Sequence, residues 1–189
     1  ETDTNDQMVI LVSHAVVIGL TLIFIIGIFA NFSGAHFNPI VSILFFLQKE
    51  LSVKDLCLYI SIQITAAILG TFFANYIFGL SIVEISSNIR SGTNIYISEV
   101  FASFGLLMVI LLSKVGGKNI VAFNVGIYIT AAIIFTSSAS FANPAVSIAR
   151  IFTESFAGIN PSTVIFFIGS QVIGMFGAYF LYNRLFKTK

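Results

Sequence analysis

Five stretches of this chain are long and apolar enough to cross a membrane, and that constrains its fold more than any other feature. They run roughly from Met8 to Ala30, Leu56 to Leu80, Tyr96 to Ser113, Ile120 to Ser137 and Thr163 to Leu185. A helix of about 20 apolar residues covers a ~30 Å hydrocarbon core. Backbone groups in lipid must bond to one another, which leaves helices or a closed barrel. The apolar runs are long and do not alternate, so the expectation is helical. Composition agrees: 57% of the 189 residues are hydrophobic and 9% are charged. Soluble domains carry about 25% charged residues, so a solvent-facing surface is excluded. The net charge of +1 argues against nucleic acid as a partner. Cys57 is the single cysteine, so no intrachain disulfide forms.

Two further apolar pieces, Asn38 to Gln48 and Asn143 to Thr153, are too short to span. Eleven helical residues rise only ~16 Å, about half the core. Both read as re-entrant half-helices that return to the face they entered from. Charge placement then sets orientation. Lys49 and Lys54, Lys114 and Lys118, and Arg184, Lys187 and Lys189 all fall on one face of a five-span topology. Glu1, Asp3 and Asp6 fall on the other. The excess of lysine and arginine marks the cytoplasmic side. The basic loops and the C-terminus are expected there, in a plasma or bacterial inner membrane.

The two short pieces are copies of one motif. Ser33-Gly34-Ala35-His36-Phe37-Asn38-Pro39-Ile40-Val41-Ser42-Ile43 is matched by Ser138-Ala139-Ser140-Phe141-Ala142-Asn143-Pro144-Ala145-Val146-Ser147-Ile148. Gln63 and Gln171 recur in the following spans. An odd number of crossings separates the copies, so the second enters from the opposite face. That is an inverted-topology repeat, and such repeats meet near the bilayer midplane. Residues 8–80 read as an incomplete first repeat and 96–185 as the second, within one transmembrane channel domain.

Proline suits the first turn of a helix, where its missing N–H has no intrahelical partner to lose. The preceding asparagine caps that end, where orphan N–H groups and partial positive charge collect. Two such ends facing each other form an electropositive constriction at Asn38, Pro39, Asn143 and Pro144. It orients an oxygen-bearing neutral solute and repels a cation.

These residues resemble the aquaporin and glycerol-facilitator family of major intrinsic proteins. Ser33-Gly34-Ala35-His36-Phe37-Asn38-Pro39 looks like the family's first signature, and Asn143-Pro144-Ala145 like its second. The resemblance covers the chain but begins at the family's second helix, so the family's first helix is expected to be absent. It implies an all-α, aquaporin-like inverted-repeat bundle with five full spans and two half-helices. It implies that Glu99 braces the second half-helix loop through backbone N–H groups. It also implies a homotetramer with one pore per subunit, set among membrane lipids.

The family's outer filter maps by an ungapped count to Ile18, Ala131, Ser140 and Val146. Water-selective members carry an arginine where Val146 stands, so the mouth here is expected to be broad and weakly hydrogen-bonding. The implied function is passive passage of small uncharged solutes, resembling glycerol, urea or neutral metalloid hydroxides, and of water. Arg150, one turn beyond Val146, is expected deeper along the half-helix and short of the filter, or paired with Glu154 four residues on.

Among the other residues, His36 is expected to line or brace the cytoplasmic vestibule. His14 faces either the pore or a neighbouring helix. Phe37 and Phe141 wedge the two loops. Gly19, Gly70, Gly126, Gly174 and Gly177 read as helix-packing positions. No cluster has metal-ligand spacing and no nucleophile meets a base, so neither a metal, a cofactor nor an enzymatic activity is expected. Two alternatives stand beside the channel. A secondary transporter shares inverted repeats and broken helices but needs coupling charges that these spans lack. A non-conducting structural membrane protein is the other.

Overall fold

A computed structural model of the chain describes residues 7–186. The acidic Glu1, Asp3 and Asp6, and the basic Lys187 and Lys189, lie outside the described residues. Seven α-helices follow in order: α1 (Gln7–Ser33), α2 (Pro39–Leu47), α3 (Val53–Ile77), α4 (Thr93–Ser113), α5 (Lys118–Phe135), α6 (Pro144–Ala149) and α7 (Pro161–Leu185). Single 3-10 turns extend α4 over Lys114–Gly116 and α6 over Arg150–Phe152. There is no β-sheet among the described residues. Five helices are long and apolar enough to cross a membrane, and they fall on the five expected spans.

Local chemistry explains the helix starts. Ser52 accepts from the Asp55 N–H at the head of α3, and Asn160 accepts from the Ser162 N–H at the head of α7. Pro161 follows Asn160 directly, so α7 begins with an Asn-Pro pair as α2 and α6 do. At α7 that pair is an ordinary cap on a long helix. The pair alone therefore does not make a half-helix.

Long-range bonds define two ends of the bundle. At one, residues 78–92 knit to residues 150–160: Ser86 N–H donates to Ile151 O at 2.8 Å and Asn160 N–H to Asn88 O at 2.8 Å. The Ser87 N–H donates to Glu154 at 2.6 Å and its hydroxyl to the same carboxylate. Those two donors hold the Glu154 carboxyl below its usual pKa. At the other end, Lys114 Nζ pairs with Glu50 at 2.6 Å, and the Tyr59 hydroxyl donates to Ser33 O at 2.6 Å.

In the packing, α1 crosses α5 and α4 crosses α7. Lipid supplies no hydrophobic drive for helix association, so close backbone approach matters. A methyl placed on Gly126 would lie 2.5 Å from the Gly19 carbonyl oxygen, and one on Gly174 would lie 2.4 Å from Val100 O. Gly126→Leu is expected to destabilise the α1–α5 pair by roughly 2–3 kcal/mol, the scale of forced overpacking. A lower unfolding midpoint in detergent would show it, and an unshifted midpoint would refute it. Gly70 departs from expectation within the chain: a methyl there would meet no atom within 4 Å among the described residues. Its helix, α3, buries only Asn75. Outward faces are apolar, with Phe24, Phe73, Phe101, Ile165 and Phe180 exposed. Such surface suits lipid contact and not water.

Candidate functional site

The two short helices start beside one another. Asn38 Oδ1 accepts from Ile40 N–H at 3.1 Å, and its Nδ2 donates to Ala142 O at 2.7 Å. Asn143 mirrors it. Its Oδ1 accepts from the N–H groups of Ala145 and Val146, and its Nδ2 donates to Phe37 O at 2.9 Å. Each asparagine thus caps its own helix and ties itself to the loop before the other. Each side-chain amide also carries a second N–H. From this junction α2 leads toward the Lys114–Glu50 end, and α6 toward the end where residues 150–160 meet residues 78–92.

The loops ahead of the two caps are folded alike. Gly34, Ala35 and Phe37 have positive φ, and so do their motif partners Ala139, Ser140 and Ala142. Left-handed backbone at non-glycine residues costs about 1–3 kcal/mol each and persists only where surroundings over-determine it. Those surroundings are polar braces. Buried Glu99 accepts from Ala142 N–H at 3.0 Å, and Gln171 Nε2 donates to Glu99 at 3.4 Å and to Ser147 Oγ at 2.9 Å. In the first copy Gln63 Nε2 donates to Ser42 Oγ at 3.0 Å, and the same hydroxyl lies 3.1 Å from His36 Nδ1. Ser42 and Ser147 are the residues that sequence reading missed. Their signal was present, since both belong to the repeated Asn-Pro-x-Val-Ser-Ile.

A cavity of about 180 Å³ runs past both caps. Its wall includes Asn38, Asn143 and the matched pair Val41 and Val146, with Ile18 from α1 and Ser140 and Phe37 from the loops. Ser140 is buried, and its hydroxyl oxygen is shielded and has no hydrogen-bond partner among the described residues. Pro39 and Pro144 sit behind the wall, buried in the first turn of each helix. Ala131 is corrected: it is exposed on the far side of α5, and α5 presents Ile129 and Ile133 to the cavity. Two positions along a helix turn a side chain by about 200°, so a count that slips by two residues lands on the opposite face.

His36 lines the cavity between the rings of Phe45 and Tyr59, 4.4 and 5.0 Å away. Phe37 meets Phe29 edge-on. Phe141 packs on Phe167 at 5.1 Å and takes the Arg150 guanidinium over its ring at 4.2 Å.

Arg150 also departs from expectation. It lines the cavity and also the wider space beyond it, and α6 runs from the junction toward the 78–92 end, so a higher residue number lies nearer that end of the bundle. Its Nη2 is 3.3 Å from His14 Nε2. Glu154 is held by Ser87 instead. His14 and Arg150 share a wider vestibule of about 630 Å³ with Asn75, Thr153 and Phe156. Arg90, from the 78–92 segment, donates to Gly158 O and Phe156 O and lies 5.2 Å from the Phe141 centroid.

Comparison with known proteins points one way. Residues 1–140 match the family profile described as Major intrinsic protein. The chain is 40% identical over 171 residues to Aquaglyceroporin AqpS of Rhizobium meliloti (strain 1021), covering 90% of this chain and 73% of that protein. It is 30% identical over 115 residues to Aquaporin NIP1-2 of Arabidopsis thaliana, covering 56% of this chain and 39% of that protein. It is 29% identical over 122 residues to the Glycerol uptake facilitator protein of Buchnera aphidicola subsp. Schizaphis graminum, covering 53% and 47% respectively.

Proposed function

Because this chain belongs to the major intrinsic protein family, whose members are passive channels and not enzymes, we propose that it conducts small uncharged solutes, and water with them, through the cavity between Asn38 and Asn143. The observation that carries the reading is the reciprocal pair of bonds, Asn38 Nδ2 to Ala142 O and Asn143 Nδ2 to Phe37 O. They bring two positive helix ends to one point. The remaining amide N–H of each asparagine is left to donate to a passing oxygen, while a cation meets only donors and partial positive charge.

In this reading α2 and α6 are re-entrant half-helices of an inverted repeat that meet near the midplane. The end carrying residues 78–92 is the outer one, and the Lys114–Glu50 end is cytoplasmic. The narrow part of the outer passage comprises Ile18, Ser140 and Val146, with Ile129 and Ile133 on the α5 side. Its walls are mainly apolar, which suits a compact solute that carries carbon beside its hydroxyl or amide groups better than water alone. The names of two relatives, an aquaglyceroporin and a glycerol uptake facilitator, are of that class. Glycerol, urea and neutral metalloid hydroxides are the solutes to test. Subunits assemble as homotetramers with one passage each.

Stopped-flow light scattering of proteoliposomes tests the reading, with water, glycerol, urea and an uncharged metalloid acid compared against empty vesicles. Non-saturating flux of at least one solute is expected. Flux that requires an ion gradient would favour a transporter, and silence toward all four in well-folded protein would favour a structural role. Val146→Arg places a long cation in the cavity wall that Val146 shares with Ile18, and solute flux is expected to fall by roughly tenfold or more, since a bulky charge narrows and electrifies a pore together. Flux at the wild-type rate would contradict the placement of Val146.

A further inference from the structure

On the α2 side of the junction the cavity wall includes His36, Phe45, Ile110 and Val121. Ile110 stands one turn before Lys114, at the end of α4, and the Val121 N–H donates to Gly117 O in the first turn of α5. This part of the wall therefore lies about one helical turn, ~5 Å, inside the Lys114–Glu50 end. Phe45 is the bulkiest group in it. Its ring centroid is 4.4 Å from that of His36, and His36 is 5.0 Å from Tyr59 of α3. The ring thus belongs to a stack that reaches from α2 to α3 beside the passage.

Two further contacts fix Phe45. Lys114 Nζ lies 4.6 Å from its centroid, a distance at which the ring face attracts a cation. The same ammonium donates to both carboxylate oxygens of Glu50, at 2.6 and 2.8 Å. Glu50 is placed in turn by the end of α2. Its N–H donates to Phe45 O at 2.9 Å, and Lys49 before it has φ 65°. That is the left-handed cap where glycine is usual, and a lysine adopts it only where the surroundings over-determine the backbone. The turn folds Glu50 back beside the residue whose ring its partner touches. Phe45 is tied through its backbone to Glu50 and through its ring to Lys114, and the ion pair closes the loop.

We propose that Phe45 sets the largest solute that can pass the Lys114–Glu50 end of the passage, and that Lys114, through its pair with Glu50, is the positioning residue that keeps the ring from yielding. An untethered side chain exchanges rotamers and turns aside for a bulky guest. A ring seated on His36 and held by an ammonium presents a fixed aperture. Ile18 and Val146 act on the other side of the junction, so the two selections stand in series. The proposal rests on the channel reading above and adds to it an inner size limit and the residue that holds it.

The test is a ratio, measured by stopped-flow scattering of proteoliposomes: xylitol permeability divided by that of the smallest solute the wild type passes, among water, urea and glycerol. A loss of folded protein lowers both terms together, and only a changed aperture moves the ratio. Phe45→Ala is expected to raise it roughly fivefold or more, since pore diameter sets which solutes pass. Lys114→Met keeps the side-chain length and removes the charge, and Glu50→Gln leaves the lysine without its anion; each is expected to raise the ratio about two- to threefold by freeing the ring. Lys114→Arg keeps both the pair and the seat on the ring, so the wild-type ratio is expected. Adding Lys114→Met to Phe45→Ala is expected to change nothing further, because the lysine acts through the ring. Lys114 and Glu50 are part-exposed, and Phe45→Leu is a smaller cut, so the test survives poor folding of Phe45→Ala. A wild-type ratio in conducting Phe45→Ala or Phe45→Leu vesicles would overturn the size limit. A wild-type ratio in Lys114→Met would overturn the positioning role. Either result would leave the channel reading standing, whereas a wild-type protein silent to every solute would overturn both.

Discussion

Replacing Glu99 with alanine is expected to destabilise the second motif by about 3 kcal/mol and to abolish solute conduction in the protein that still folds. Glu99 is buried within α4 and accepts from Ala142 N–H at 3.0 Å. Ala142 is itself left-handed, as are Ala139 and Ser140 before it. Removing the carboxyl leaves a buried N–H unpaired, which costs about 1–3 kcal/mol. It also leaves a void beside Gln171 whose lining loses its contacts. The loop then has no reason to hold its strained backbone, and relaxation withdraws the Ala142 carbonyl that Asn38 Nδ2 uses. Glu99→Gln keeps an acceptor oxygen in place, so most stability and flux should return. The check is the unfolding midpoint in detergent beside the flux of reconstituted protein. If alanine and glutamine behaved alike, the acceptor role assigned to Glu99 would be wrong.

The second large effect is expected from Asn143→Leu, which keeps the approximate volume and removes all polar function. Three bonds disappear together: acceptance from Ala145 and Val146 N–H and donation to Phe37 O. Loss of the cap costs about 1 kcal/mol, and the orphaned Phe37 carbonyl adds a further 1–3 kcal/mol. Solute flux is expected to fall by more than tenfold, because one of the two central donors is gone and an isobutyl group faces the passage. Asn143→Asp separates the two roles. It preserves the capping oxygen and loses the donor, so the fold should survive while flux still falls and cations are admitted more readily. Retained flux with retained cation exclusion in Asn143→Asp would contradict the donor role.

Much of this architecture was legible in the sequence, for physical reasons. Lipid forbids unpaired backbone, so long apolar runs translate into α1, α3, α4, α5 and α7 with little ambiguity. The duplicated motif marked where α2 and α6 begin, because asparagine followed directly by proline suits the start of a helix and not its interior. The third Asn-Pro pair, Asn160-Pro161, shows what the motif needed beyond those two residues: a preceding loop with left-handed backbone and a partner copy to bond with.

What escaped sequence reading depends on phase and direction. Ala131 was placed by counting, and the rotational phase of α5 puts Ile129 and Ile133 on the cavity instead. Arg150 was expected short of the filter, and the direction of α6 carries it instead to where the inner cavity meets the wider one. The 78–92 segment has no periodicity to read, yet it delivers Arg90 to Phe141 and Ser87 to Glu154. Gly70 resembled the packing glycines in type and differs from them only in what its helix faces.

The account stands on a solute passing between the two asparagine caps, and a thiol placed in that wall tests it most directly. Cys57 is the chain's single cysteine and is exposed, so Val146→Cys in a Cys57→Ser background offers one reactive site, on the cavity wall. Labelling it with a small neutral methanethiosulfonate is predicted to cut solute flux by roughly fivefold or more, as plugging a narrow pore should, and a reducing agent is predicted to restore it. Complete labelling with flux untouched would mean that solute does not travel this path.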